Sequence, residues 1–149
     1  MNNVWILVAE SSRAKIYQAD LSLEKIVEVH DLVHEASRLH ERDITTDLPG
    51  SNTGSAGNHH RFEPHTSVKT QEAGAFAREV AGILDQGRNA GAYSKLALIA
   101  APDFLGHVRG ALNSHVRKLV VHEVDKNMAR SGIAELRKVL PKTFFSRLE

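Results

Sequence analysis

Apolar and polar positions change rhythm several times along the chain, and each change marks an element. Val4–Ala9 reads VWILVA, an unbroken apolar run, the signature of a central strand covered on both faces. Ala14–Asp20 and Ile26–Val33 mix β-branched and polar residues in rough alternation, as strands with one drier face do. The links between these three, Glu10–Arg13 and Leu21–Lys25, are too short for a parallel crossover. The chain is therefore expected to open as an antiparallel meander. From about Glu35 to Thr66 neither period holds. Ala73, Phe76, Ala77, Val80, Ile83 and Leu84 then recur at helical spacing, one apolar stripe on a helix. Thr66 or Ser67 is the expected cap and Gly87 or Gly91 the expected stop.

The second half alternates more regularly. Lys95–Ala100 reads KLALIA, another buried strand. Pro102 and Asp103 then open a helix whose stripe is Phe104, Leu105, Val108, Ala111 and Leu112, with Asp103 as its cap. Leu119–Val124 reads as a fifth strand. Ser131 is the expected cap of a last helix, with Ile133, Leu136, Val139 and Leu140 on one side and Pro141 as its stop. Strands one, four and five are separated by helices, so they should run parallel with right-handed crossovers. The expected fold is α/β: one domain over residues 1–149, with a five-stranded mixed sheet in the order 3-2-1-4-5 and helices on both faces. This architecture resembles that of the ribonuclease H type. Trp5 and Phe76 are expected in its core.

Composition narrows the chemistry. A chain of 149 residues can bury a sizeable core, and 42% hydrophobic with 25% charged residues is ordinary for a globular protein. There are no cysteines, which removes disulfides, thiolate metal sites and cysteine nucleophiles together. The N-terminal apolar run is too short for a signal peptide or a membrane span. The expected location is therefore cytoplasmic. Net charge is +1, but it is uneven: from His107 to Glu149 nine basic residues stand against four acidic ones. Arg109, Arg117, Lys118, Arg137 and Lys138 are candidates for a basic face that steers the protein toward phosphates; the alternative is a solvated helix face.

The aperiodic segment is the other candidate. Pro49–Thr66 reads PGSNTGSAGNHHRFEPHT, with glycines at 50, 54 and 57. Such a segment offers backbone donors and little to pack, which suits a phosphate backbone. Its charge argues the other way, since residues 35–66 hold three basic groups against five acidic ones. His59, His60 and His65, with His40 and Glu63, contain enough ligands for zinc or nickel. Their spacing fits no known metal motif, and ordering a loop around an ion costs entropy; exposed histidines explain them equally well. Glu10, Asp103 and Asp125 follow strands one, four and five. Carboxylates at the carboxyl ends of parallel strands can hold magnesium in a nuclease or hydrolase.

Several stretches together resemble one family. They are VWILVAESSRAKIYQAD, EASRLHERDITTDLPGSNTGSAGNHH, FAREVAGIL, KLALIAAPDFLGHVRGAL and VHEVDKNMARSGIAELRKVL. In that order they resemble the bacterial host attachment family, small proteins named as required for attachment to host cells. The most specific part runs from Arg38, Leu39, His40 and Glu41 through Asp47, Leu48, Pro49 and Gly50 to Ser55, Ala56 and Gly57. That family is similar in turn to the central domain of archaeal and eukaryotic peptide-chain release factors. The resemblance implies the same order of elements and a long loop before the first long helix. In the release factors this loop carries Gly-Gly-Gln, which helps water cleave peptidyl-tRNA at the ribosome. Here the segment has no Gly-Gly pair and no glutamine before Gln71. The resemblance thus implies the fold without the termination reaction.

The reading these features support is a binding protein with no catalytic residues and no cofactor. RNA or the ribosome is the expected partner. Contact would run through Arg38, His40, Glu41, Arg42, Asp47, Gly50, Ser55, Gly57, His59, His60 and Arg61, together with the basic C-terminal residues. The alternatives are an interaction factor that supports host-cell attachment through protein contacts, and a metal-dependent nuclease or hydrolase.

Overall fold

A computed structural model describes residues 3–20, 25–34 and 58–140, with the side chains of 58–67 excepted. Five strands form one sheet: β1 (Val4–Glu10), β2 (Arg13–Ala19), β3 (Ile26–Val33), β4 (Lys95–Ala100) and β5 (Val120–Val124). Their order is β3-β2-β1-β4-β5, as the element pattern predicts. β1 pairs antiparallel with β2 from Val4↔Ala19 to Glu10↔Arg13, so Ser11 and Ser12 alone make the hairpin turn. On its other side β1 runs parallel to β4, from Val4↔Lys95 to Ala9↔Ala100. β4 in turn runs parallel to β5.

The unbroken apolar run of β1 is explained by this central place, because alternate residues serve two cores. Trp5, Leu7 and Ala9 pack on one face with Ile16 of β2 and Leu96 and Leu98 of β4. Val4, Ile6 and Val8 pack on the other with Tyr17, Ala97 and Ile99. Three helices cover the first face: α1 (Asn58–Asn89), α2 (Pro102–Ala111) and the single turn α3 (Ser114–Arg117). A fourth, α4 (Ile133–Val139), covers the second through Leu136, with Leu140 just beyond its end. β3 is an edge strand, and only Ile26 of it is buried. Its pairing with β2 slips between Ile16 and Tyr17, where His30 and Glu28 are the successive partners and Val29 is left over, a bulge of the kind that blunts sheet edges.

Several local expectations are corrected. α1 begins at Asn58, so residues 58–66 belong to a helix and not to the loop expected there. Thr66 and Ser67 are cap formers and Pro64 lacks an N–H. Extending a helix that already has a packed stripe costs far less than starting one, so these local signals lose. At the other end of α1 the expected stop holds at Gly91, whose φ is 73°. Ala92 N–H donates to the Gly87 carbonyl at 2.9 Å and Gly91 N–H to that of Arg88 at 3.1 Å, the paired bonds of a Schellman end. Ala101 stands at the cap of α2, and Asp103 accepts from the next amide, Phe104 N, at 2.9 Å. Asp103 is therefore a first-turn acid and not the cap. Gly132, not Ser131, caps α4. The single turn α3 escapes periodicity altogether; Asn113 caps it by accepting from Val116 N at 2.9 Å.

Candidate functional site

Two of the expected basic residues come together. α2 and α3 pack on β1 and β4 through Phe104, Leu105, Val108 and Val116, which places their polar sides beside edge strand β5. There Arg109, Leu112, Arg117, Val120 and Glu123 line an open cleft of about 390 Å3. Arg109 Nε donates to Glu123 Oε1 at 2.8 Å, and a second nitrogen of the same guanidinium bonds the same oxygen. This hydrogen bond, reinforced by the charge, raises the Arg109 pKa still further. Arg117 donates to the Arg109 backbone carbonyl at 2.6 Å. A carbonyl carries no net charge, so Arg117 keeps its full positive charge at the cleft while that of Arg109 is offset. Lys118 follows at the end of α3.

The expected basic face is divided. Arg109, Arg117 and Lys118 belong to the helices that cover the first face of the sheet. Arg137 and Lys138 lie in the last turn of α4, whose buried side chain joins the opposite core. Arg38, His40, Glu41, Arg42, Asp47, Gly50, Ser55 and Gly57 lie outside the described residues. His59, His60, Arg61 and His65 fall in the opening turns of α1, where only the backbone is described. The carboxylate trio is not assembled. Both oxygens of Glu10 accept hydrogen bonds, from Ser12 Oγ at 2.9 Å and Asn127 Nδ2 at 3.3 Å, and Asp103 bonds its neighbouring amide. Among the described residues no group of three His, Asp or Glu side chains is placed to hold a metal ion.

Periodicity alone did not reveal a second, smaller concavity. It opens at the carboxyl end of β1, where Glu10, Ser12, Arg13, Val33 and Arg130 enclose about 150 Å3. Ser12 is the one buried polar residue in the described core, 7% exposed. The rule that ligands of open α/β sheets gather at strand carboxyl ends would have led here, since Glu10 ends β1, and Asn127 and Arg130 follow β5.

No helix among the described residues is long and apolar enough to cross a membrane. The fold is similar to that of the archaeal translation termination factor aRF1, with a TM-score of 0.51 and 12% identity. The likeness covers 98% of this chain and 37% of that one. An uncharacterized protein of Rickettsia prowazekii (strain Madrid E) is 38% identical over 74 residues. That match spans 48% of this chain and 49% of the Rickettsia protein. The model of the family described as "Protein required for attachment to host cells" matches residues 5–140. With nearly the whole chain inside that match, the protein belongs to the host attachment family.

Proposed function

We propose that this host attachment protein is an RNA- or ribosome-associated binding protein. The observation that carries this reading is the likeness, along almost its full length, to about a third of an archaeal translation termination factor. The cleft beside β5 adds a physical reason. Arg117 and Lys118 have no carboxylate partner among the described residues, and Leu112 and Val120 give the cleft apolar walls. A free guanidinium between apolar walls, with Lys118 next in the chain, suits a single strand, whose phosphates seek cations and whose bases seek dry surfaces. Glu123 limits the charge of the cleft, so binding is expected to be moderate and sensitive to salt. The test is fluorescence anisotropy with a short labelled RNA, comparing the natural chain with Arg117→Gln/Lys118→Gln. Loss of two phosphate contacts should weaken binding and lower the slope of log affinity against log salt by about 1.4. Equal affinity and equal slope would remove the cleft from the reading.

A second reading rests on the sheet's other edge. Val27 is 51%, Val29 37% and Val33 40% exposed on β3. The bulge at Val29 disfavours pairing with a further strand, so these exposed valines suit side-chain contact with another protein, and such contacts would fit a role in attachment. Crosslinking from β3 to a protein, with no RNA captured, would favour this reading over the first.

A further inference from the structure

We infer that the concavity at the carboxyl end of β1 binds a phosphate group. The assignment is independent of the RNA reading and uses a different part of the surface. Five residues line it: Glu10, Ser12 and Arg13 from the first hairpin, Val33 from the end of β3, and Arg130 from the segment after β5. The hydrogen bonding within it is unbalanced. Its acceptors are occupied, since the two Glu10 oxygens take the Ser12 hydroxyl and the Asn127 amide. Asn127 is itself held, because its Oδ1 accepts from Ala129 N at 3.2 Å. Its donors are only partly occupied: the Ser12 hydroxyl goes to Glu10 and one Arg13 amino group to Asp31 at 3.4 Å. Arg13 Nε is buried with no partner, and Arg130 has no ion-pair partner among the described residues. A buried N–H without an acceptor is a standing cost, and a turn of the otherwise exposed Arg13 side chain toward an incoming oxygen relieves it. What the site lacks is an oxyanion.

Charge and size narrow the anion. The lining holds two guanidinium groups against one carboxylate. Asp31 lies outside the lining and approaches the far amino group of Arg13 at 3.4 Å, both side chains being well exposed and screened. Asp31 offsets part of the Arg13 charge, so the excess positive charge of the lining rests chiefly on Arg130 and suits a ligand with one negative charge, a phosphodiester or singly ionised phosphate. Guanidinium forks from two separate segments need more acceptor oxygens than the two of a carboxylate, and a phosphate supplies them. A volume of about 150 Å3, at roughly 30 Å3 for each water, admits a phosphate but not the nucleoside attached to it. The rest of any ligand must lie outside.

The test uses the full chain and three probes: inorganic phosphate, adenosine monophosphate and a short RNA, each titrated while phosphorus or amide NMR shifts are followed. Phosphate should shift the Ser12 and Arg13 amides, and Arg130→Gln should weaken it roughly tenfold, the loss of one charge-assisted contact. Arg130 is exposed, so this variant should keep the natural melting temperature. Tighter binding of the monophosphate or the RNA than of the free ion, read at the Ser12 and Arg13 amides and not as total affinity, would identify the natural source as a nucleotide or a nucleic-acid backbone. Shifts by acetate equal to those by phosphate would overturn the phosphate assignment in favour of a carboxylate ligand. Phosphate binding that survives Arg130→Gln and Arg13→Gln unchanged would overturn the site itself.

Discussion

His34 Nε2 lies 2.6 Å from Glu72 Oε2, joining the residue after β3 to a half-buried position of α1 across 38 residues of sequence. The ring also stacks on Phe76 at 5.1 Å between centroids, and its backbone N–H donates to the Ser12 carbonyl at 2.9 Å. Glu79, two turns beyond Glu72 on α1, approaches Nδ1 at 4.0 Å. One side chain thus fixes where β3 hands over to the segment that precedes α1.

Removing either side of this link should destabilise the fold. His34→Ala and Glu72→Ala are each expected to cost about 1.5–3 kcal/mol, the range for a part-buried hydrogen bond to a charged group. The double variant should cost less than the two together, because each loses the same contact. Urea unfolding in a double-mutant cycle measures this, and strict additivity would show that the pair is not coupled.

Two glycines of α1 should respond in opposite directions to the same change. A methyl at Gly87 would meet Trp5 Cη2 at 2.5 Å and Tyr93 Cε1 at 3.1 Å, where Trp5 and Tyr93 stack at 4.7 Å. Gly87→Ala should therefore destabilise by about 1–3 kcal/mol through overpacking, despite the better helix propensity of alanine. At Gly82 nothing lies within 4 Å of that methyl. Gly82→Ala should stabilise by up to about 1 kcal/mol, the propensity difference alone. Thermal melts of both variants test the stacking of α1 against β1 in one comparison.

Alkaline pH should weaken the same corner. Tyr93 is buried, and its hydroxyl donates to the Leu84 carbonyl at 2.6 Å. Burial is the main cause that pushes its pKa up to about 12. An unfolded tyrosine releases its proton near pH 10 while the folded one holds it, so the unfolded state binds fewer protons between these values. The contribution of Tyr93 to stability should be constant below pH 10 and fall between about pH 10 and 12, by roughly 2–3 kcal/mol. Tyr17, also raised chiefly by burial, adds to the same fall. Tyr93→Phe should flatten the pH dependence while lowering stability at neutral pH. An unchanged alkaline transition in that variant would contradict the assignment.

The sheet was legible in the sequence because its strands advertise their surroundings. The six-residue run before Glu10 announced a strand with two cores, and the short links announced the meander. The start of α1 was not legible, because Pro64, Thr66 and Ser67 carry local signals for a boundary that helix extension overrides. The site was half legible. Arg109 and Arg117 are eight residues apart on successive helices, and charge counting found them. It could not find that Glu123 offsets one of them, because that pairing depends on how α2 sits beside β5. Glu10 and Asn127 meet across 117 residues, a distance over which neither periodicity nor local propensity carries information.

The association with RNA or the ribosome is tested most directly by sedimentation of the purified full chain with ribosomes over a range of salt. The account predicts co-sedimentation at low salt, release as salt rises, and a weaker pellet fraction for Arg117→Gln/Lys118→Gln. A chain that stays in the supernatant with ribosomes at the lowest salt, while folded by its melting curve, would contradict it.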